Sequence, residues 1–452
     1  QVMGSARRDR ERPDLQPRTP KEYLCYGAFI GGAFWSSETK PQEFAYIPEE
    51  IFSCLELVHI QKKQIPGRPA SAKETLVIHA TSDVILDDIC TYLAAVRNGF
   101  SSDILQDYCE IPVIFLSTII SELKLISERG TLDPDQVRLF LESPRGESLS
   151  LLVNRWLNDD HLNEMSLIPE IIIEGILDRN HRKARQFLLD QISLIPNNQW
   201  WHIDSFIAYI YQINPDFQRP AGNYDTWYIK NAETGNYLRG FEHWDAIDGT
   251  FLRFMITGPL FWLGLVDLAS SSNECGIQAF KFSAWCEDLL SSQPPENIQA
   301  EDMKIIIDSY GKIILPLRFS RTLRYQISRF CDWIGKSKNG YEYHISPLSL
   351  QRAKEQGLKV SQFLKIIQPL LPHLFPPKLK TALEKWEAFG TQAHFSNAVL
   401  LHIADPEAIR QLLTMSVKKF IQAELNPNTI AVLPHGVEQV RKALIELGYL
   451  SE

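Results

Sequence analysis

The stretch from Asp308 to Leu358, DSYGKIILPLRFSRTLRYQISRFCDWIGKSKNGYEYHISPLSLQRAKEQGL, constrains the fold more than any other part of the chain. A polar turn, Ser309-Tyr310-Gly311, separates two runs, Ile305–Ile307 and Ile313–Leu315, which is the pattern of a hairpin. Pro316 closes it, and Ser320 stands at an N-cap position for a helix expected to run through Ile334. At about 100° per residue, Leu323, Ile327, Phe330 and Ile334 share one face. Arg321, Arg324 and Arg329 fall opposite, with Arg318 on the lead-in. Gly335 to Gly340 reads as a loop carrying Lys336 and Lys338, then Tyr341, Tyr343 and Ile345 alternate as a strand. Ser346-Pro347 opens the next helix by the cap-then-proline rule. Helix, basic turn, strand, capped helix is the outline of a winged-helix unit.

Charge singles out the same region. Residues 301–452 carry 20 Lys/Arg against 14 Asp/Glu, whereas the other 300 residues carry 26 against 41. A locally basic third inside a chain of net charge −9 points to a polyanion partner for that third alone. The 452 residues suffice for two to four domains, and the 44% hydrophobic, 22% charged composition is that of a globular protein. No apolar run approaches the roughly 20 residues of a membrane helix, so no membrane is expected. Residues 1–20, Arg- and Pro-rich, read as a disordered tail, and a start at Gln1 reads as a fragment with an upstream segment out of view. Seven widely spaced cysteines without C-x-x-C fit a reduced, cytoplasmic protein and argue against structural zinc.

Taken in order, residues 21–73 read as a strand meeting a helix at Pro48, followed by a linker over 61–73. Residues 74–190 read as a helical, winged-helix-like domain, with helices at 83–97, 101–108, 112–125 and from Asp133-Pro134. Residues 191–300 form an aromatic-rich second domain, whose helix, Gly258-Pro259 break, LFWLGLVDL and alternating IQAFKFS repeat the rhythm of Ser320–Gly357. Between Gly258 and Asp267 this copy has no Lys or Arg, so it reads as a packing module. Residues 112–142 show the rhythm more faintly. The domain 301–452 continues through helices at 359–371, 377–389 and 405–423 to a strand at 429–433 and a helix at 436–447. The expected fold class is therefore mainly α with small β-hairpins (α+β), built from tandem winged-helix-like modules.

Motifs of chemistry are few. Gly335-Lys336-Ser337 mimics a phosphate loop, but Phe330 replaces the glycine that backbone cradling needs. Glu122-Leu123-Lys124 has the spelling of a nuclease motif without a paired carboxylate on a strand. The histidines are scattered without ligand spacing, so no metal and no cofactor is expected. Glu242, Asp245 and Asp248 of EHWDAID either gather on one side of a turn or, the favoured reading, are charges complementing a helix N-terminus.

Several segments together resemble a bacterial family of helicase-associated proteins whose C-terminal part is similar to the N-terminal region of XPB-type helicases. They are FAYIPEEI (44–51), PDFQRPAGNYDTWYI (215–229), GPLFWLGLVDL (258–268), SRFCDWI (328–334), YEYHISPLSLQRA (341–353) and LNPNTIAVLP (425–434). The resemblance runs through nearly all of the chain from about residue 23 and rests on structural rather than catalytic motifs. It implies a non-catalytic, DNA-associated or helicase-associated role. The expected site is Arg318, Arg321, Arg324, Arg329, Lys336 and Lys338 acting on DNA phosphates, beside a helicase, nuclease or other protein partner. The alternative is an interaction scaffold without DNA contact, in which exposed aromatics of 215–245 anchor a partner. An enzymatic reading requires an unfamiliar site hidden in 215–248.

Overall fold

The computed structural model describes residues 12–15, 17, 20–37, 40–52, 65–127, 129–175, 177, 179–219, 224–371, 373–393 and 397–451. Most of the expected tail, Cys54 and linker residues 61–64 lie outside the described residues. The chain forms two compact units, residues 1–65 and 66–452. In the first, α1 (Pro20–Tyr26) precedes an antiparallel pair, β1 (Gly31–Ser37) and β2 (Lys40–Tyr46), registered from Gly31 opposite Tyr46 to Ser37 opposite Lys40. Pro48 then leads into α2 (Glu49–Phe52), the strand-to-helix passage expected from the sequence.

The second unit is a mixed α+β structure. It opens with β3 (Val77–His79), α3 (Val84–Arg97), α4 (Val113–Glu122), α5 (Pro134–Glu142) and α6 (Arg145–Asn158). There follow β4 (Ile171–Ile173), α7 (His181–Ile192), β5 (Trp201–His202), α8 (Ile203–Ile213) and β6 (Ile229–Asn231). Next come α9 (Thr250–Thr257), α10 (Pro259–Trp262), β7 (Val266–Ser270), β8 (Ala279–Phe282) and α11 (Cys286–Leu290). The basic region supplies β9 (Ile306–Ile307), β10 (Lys312–Leu315), α12 (Arg321–Ser328), β11 (Asp332–Ser337), β12 (Gly340–His344), α13 (Pro347–Glu355), α14 (Val360–Ile367) and α15 (Pro377–Phe389). The chain ends with β13 (Val399–His402), α16 (Pro406–Thr414), β14 (Ile421–Asn426), β15 (Thr429–Val432) and α17 (Val437–Glu446).

One arrangement recurs three times: a strand, helix, an antiparallel hairpin whose second strand returns to pair with the first, and a closing helix. The sheet orders are β3-β7-β8-β5, β11-β12-β10-β9 and β13-β15-β14, so β8, β12 and β15 each sit between their two partners. All of these pairings are antiparallel. Residues 112–142 fall short of the pattern, with a single bridge between Ile126 and Leu132 joining α4 to α5.

Among the described residues, three apolar cores underlie the second unit. The first runs continuously from Ile85 to Leu289, so the border expected at residue 190 crosses one packed interior. The second gathers Ile305 to Leu383 and the third Ile403 to Leu444, dividing the expected domain 301–452 in two.

The helix expected over 101–108 is a 3₁₀ segment, Ser102–Asp107, and the one expected over 359–371 ends at Ile367 before a 3₁₀ turn. Two further helices give way to strands. α12 stops at Ser328, and Asp332–Ser337 instead pairs with β12, which leaves Ile334 55% exposed. The helix expected over 405–423 ends at Thr414, because Ile421–Asn426 is taken into the ladder with β15. In both, strand pairing overrides local helical preference. The β11–β12 turn closes on Gly340, whose φ of +130° and close approach to the Leu315 carbonyl leave no room for a side chain.

Candidate functional site

The feature that the sequence marks most clearly, α12, turns out to be buried on both sides. Ile327 and Phe330 pack into the second core, where Phe330 meets Phe363 at 5.1 Å. The opposite side, expected in water, lies against α3 and α5. Arg321 and Arg324 are accordingly 0% and 1% exposed.

Each buried guanidinium is taken up by the helical body. Arg321 Nη2 donates to the Ser143 carbonyl at 2.6 Å and to Ser148 Oγ at 3.2 Å, while Nε reaches Glu301 at 3.2 Å. Arg324 Nη1 donates to the Asp87 carbonyl at 3.1 Å, Nη2 to the Thr91 hydroxyl, and Nε to the Tyr343 hydroxyl at 3.1 Å. Arg318 pairs with Asp83 at 3.0 Å, and that carboxylate also holds Arg145 at 2.5 Å. Arg145 reaches across to Asp87 at 2.7 Å. Thr322 donates to the Leu141 carbonyl at 2.9 Å and Asn98 to the Ser328 carbonyl at 3.1 Å, fixing α12 along its length. Arg145, Arg318, Arg321 and Arg324 thus interlock with Asp83, Asp87 and Glu301 at the junction of the first and second cores. Burial pushes the Asp87 carboxyl up, opposed by its hydrogen bond to Arg145.

This corrects the expected phosphate-binding ridge. Of its six members, Arg321 and Arg324 are interior and Arg318 is neutralised by Asp83. Arg329 is half-buried, with Nε turned to Gln356 at 3.4 Å, and Lys336 pairs with Glu110. Lys338, at the β11–β12 turn, alone of the six stands exposed. The physical reason is that α3 offers carboxylates and carbonyls to a face that amphipathicity alone assigns to solvent.

The 215–248 segment also divides differently from expectation. Trp227 and Trp244 are both 2% exposed, so neither presents itself to a partner. Asp248, expected as a charge complementing a helix N-terminus, is buried and holds Arg219 at 2.5 Å and Gln218 at 2.7 Å. Arg219 lies 4.1 Å from the Trp227 ring, which completes a structural ion pair under an aromatic lid. What reaches the surface is a platform on the antiparallel β4–β6 pair. Tyr228 and Tyr237 are 50% and 43% exposed, and the Arg239 guanidinium sits 4.8 and 5.1 Å from their ring centres. Glu174 anchors the platform, accepting from the Tyr237 hydroxyl and from Lys230 Nζ, each at 2.6 Å.

No family model matches this sequence, and no curated protein matches it. The site is therefore described by its own geometry. Among the described residues, no group of three or more His, Cys, Asp or Glu side chains is placed to hold a metal ion, and no helix is long and apolar enough to cross a membrane. Gly335-Lys336-Ser337 lies within β11, extended and paired, where its backbone N–H groups cannot curl around a phosphate. The Tyr228–Arg239–Tyr237 cluster was legible only in part: the segment's aromatic content marked it, but not which rings would be outside.

Proposed function

We propose that this protein is a non-catalytic, helicase-associated accessory protein that works as a docking scaffold, with the Tyr228–Arg239–Tyr237 platform as its partner-binding surface. The observation that carries this reading is the burial of Arg321 and Arg324, which commits the chain's most cationic helix to holding its own modules together. Tyrosine and arginine, here held in a preformed cluster, are among the side chains that supply most binding energy at protein interfaces. The recurrent order of β10-α12-β11-β12 and β13-α16-β14-β15, with the last strand in the middle, supports tandem winged-helix-like modules. The resemblance to XPB-type N-terminal regions makes a helicase the favoured class of partner.

A second reading keeps direct DNA contact but moves it. Lys338, Lys354, Lys359, Lys365, Lys378 and Lys385 are all exposed between the β11–β12 turn and α15, and could follow a phosphate backbone. One pair of measurements separates the readings. Wild type and a Tyr237→Ala/Arg239→Ala variant are used to recover partners from native extract, and both are titrated with duplex and forked DNA at about 50 mM salt. The scaffold reading expects a protein partner retained by wild type and lost by the variant, with weak DNA binding. Salt-sensitive DNA binding that is the same in both proteins, with no partner recovered, favours the lysine reading instead.

A further inference from the structure

The sheet over the third core, ordered β13-β15-β14, ends in two edges that differ in kind. β14 is interrupted by two register shifts and carries the exposed carboxylate of Glu424, features that keep an edge strand from pairing with another chain. β13 has neither. Its register against β15 is unbroken from Val399 to His402, and the stretch 397–403 contains no Asp, Glu, Lys or Arg. Val399 and Leu400 are 43% and 53% exposed.

Half of the β13 backbone is engaged. The Ile403 N–H donates to the Asn428 carbonyl at 2.9 Å, so by the alternation of an antiparallel ladder Val399 and Leu401 turn their N–H and C=O groups to β15. Those of Leu400 and His402 point the other way, where no strand lies among the described residues. Leu401 packs against the third core, and Val399 shares its face. That face continues into an apolar cleft lined by Val432, Val437, Val440 and Leu444, beside Arg441, which pairs with Glu438 at 2.9 Å.

A strand added to this edge must be free of charge and apolar at every second residue, and β13 itself meets both requirements. In an antiparallel pair of two copies centred on Leu401, Leu400 of each copy lies opposite His402 of the other, so their outward N–H and C=O groups find partners. Val399 and Leu401 of one copy then extend towards the apolar cleft of the other. Residues 397–452 carry five Lys/Arg against six Asp/Glu, so two such modules meet with little charge repulsion. We propose that β13 is a dimerisation edge, on which a second copy of this chain adds its own β13 and joins the two sheets into one. Because β14 is blocked, pairing closes at two copies instead of growing into a filament. The contact is short, so the dimer is reversible, and it does not depend on any partner at Tyr237.

Sedimentation velocity of the full chain across the micromolar range, with amide hydrogen exchange at the same concentrations, tests this. Wild type should pass from one copy to two as concentration rises, while the Leu400 and His402 amides become protected. Leu400→Pro removes an outward N–H and should weaken the dimer about ten-fold or more. Val399→Lys sets a charge against the apolar cleft and should do the same, which keeps the test open if the proline variant does not fold. Ala423→Lys on β14 should leave the dimer unchanged. Wild type that stays monomeric throughout overturns the proposal, including where an unrelated extended peptide occupies the edge instead. A dimer that survives both β13 substitutions, or that Ala423→Lys dissociates, overturns the assignment to β13.

Discussion

The guanidinium carbon of Arg324 lies over the ring of Tyr341, 3.5 Å from its centre, while its nitrogens reach the Tyr343 hydroxyl, the Asp87 carbonyl and Thr91. A cation from one core is thus roofed by its own sheet and tied to a helix more than 200 residues earlier in sequence. Burying a charge in this way gains little over an apolar contact of the same shape, but removing one partner leaves the others stranded. Arg324→Ala is therefore expected to destabilise the second unit by about 3–5 kcal/mol, measured by urea unfolding. Arg324→Met, which fills the space without a charge, should cost less than Arg324→Ala.

Asp88 gives the junction a pH dependence. Burial lifts its carboxyl to about 6, against the opposing hydrogen bonds from the Glu110 and Ile111 N–H groups and the charge of Lys336. The folded chain then holds this proton between about pH 4 and pH 6 where the unfolded chain releases it. The contribution is therefore fully present below pH 4 and is lost as pH rises through 6. Asp88→Asn keeps an acceptor for the two N–H groups and removes the titration. Its stability relative to wild type should rise by about 2 kcal/mol between pH 4.5 and 7.5. Parallel stability profiles across that range would refute the assignment.

Gly340 closes the β11–β12 turn where a Cβ would fall 1.9 Å from the Leu315 carbonyl oxygen, at a φ of +130°. Gly340→Ala should cost at least about 1–3 kcal/mol from conformation alone, seen as a lowered unfolding midpoint. Gly235→Ala is the control: it shares a positive φ but has open space around it, so its cost should be smaller.

The periodicity of the sequence located most elements well, and the reason is that α4, α5 and α8 each bury one stripe against a single core, whereas α3 is buried on every side from Ile85 to Ala95. It misjudged α12 because amphipathic spacing reports only where apolar side chains lie. Whether the polar face meets water or another module depends on Asp83 and Asp87, which are remote in sequence. A signal was present nonetheless: Asp83, Asp87 and Asp88 flank or interrupt an otherwise apolar stretch, and all three are buried. Acids set within an apolar helix call for buried cations elsewhere in the chain. The burial of Trp227 and Trp244 went unread for the reverse reason: the Trp227 ring covers the Arg219–Asp248 ion pair, and the Trp244 indole donates to the Pro215 carbonyl, so both large apolar rings go to the interior with their polar neighbours satisfied.

At the platform, Tyr237→Ala and Arg239→Ala should each weaken a bound partner by about ten-fold or more, with unfolding midpoints close to wild type. Tyr228 and Tyr237 are already half exposed, so their truncation removes little folded-state packing.

The most direct test of the account compares Arg321→Gln/Arg324→Met with wild type in two assays, urea unfolding and DNA titration at low salt. If α12 is an internal latch, the double variant loses stability and its affinity for DNA, measured under conditions where it remains folded, is unchanged. Unaltered stability together with a steep fall in DNA affinity would contradict it.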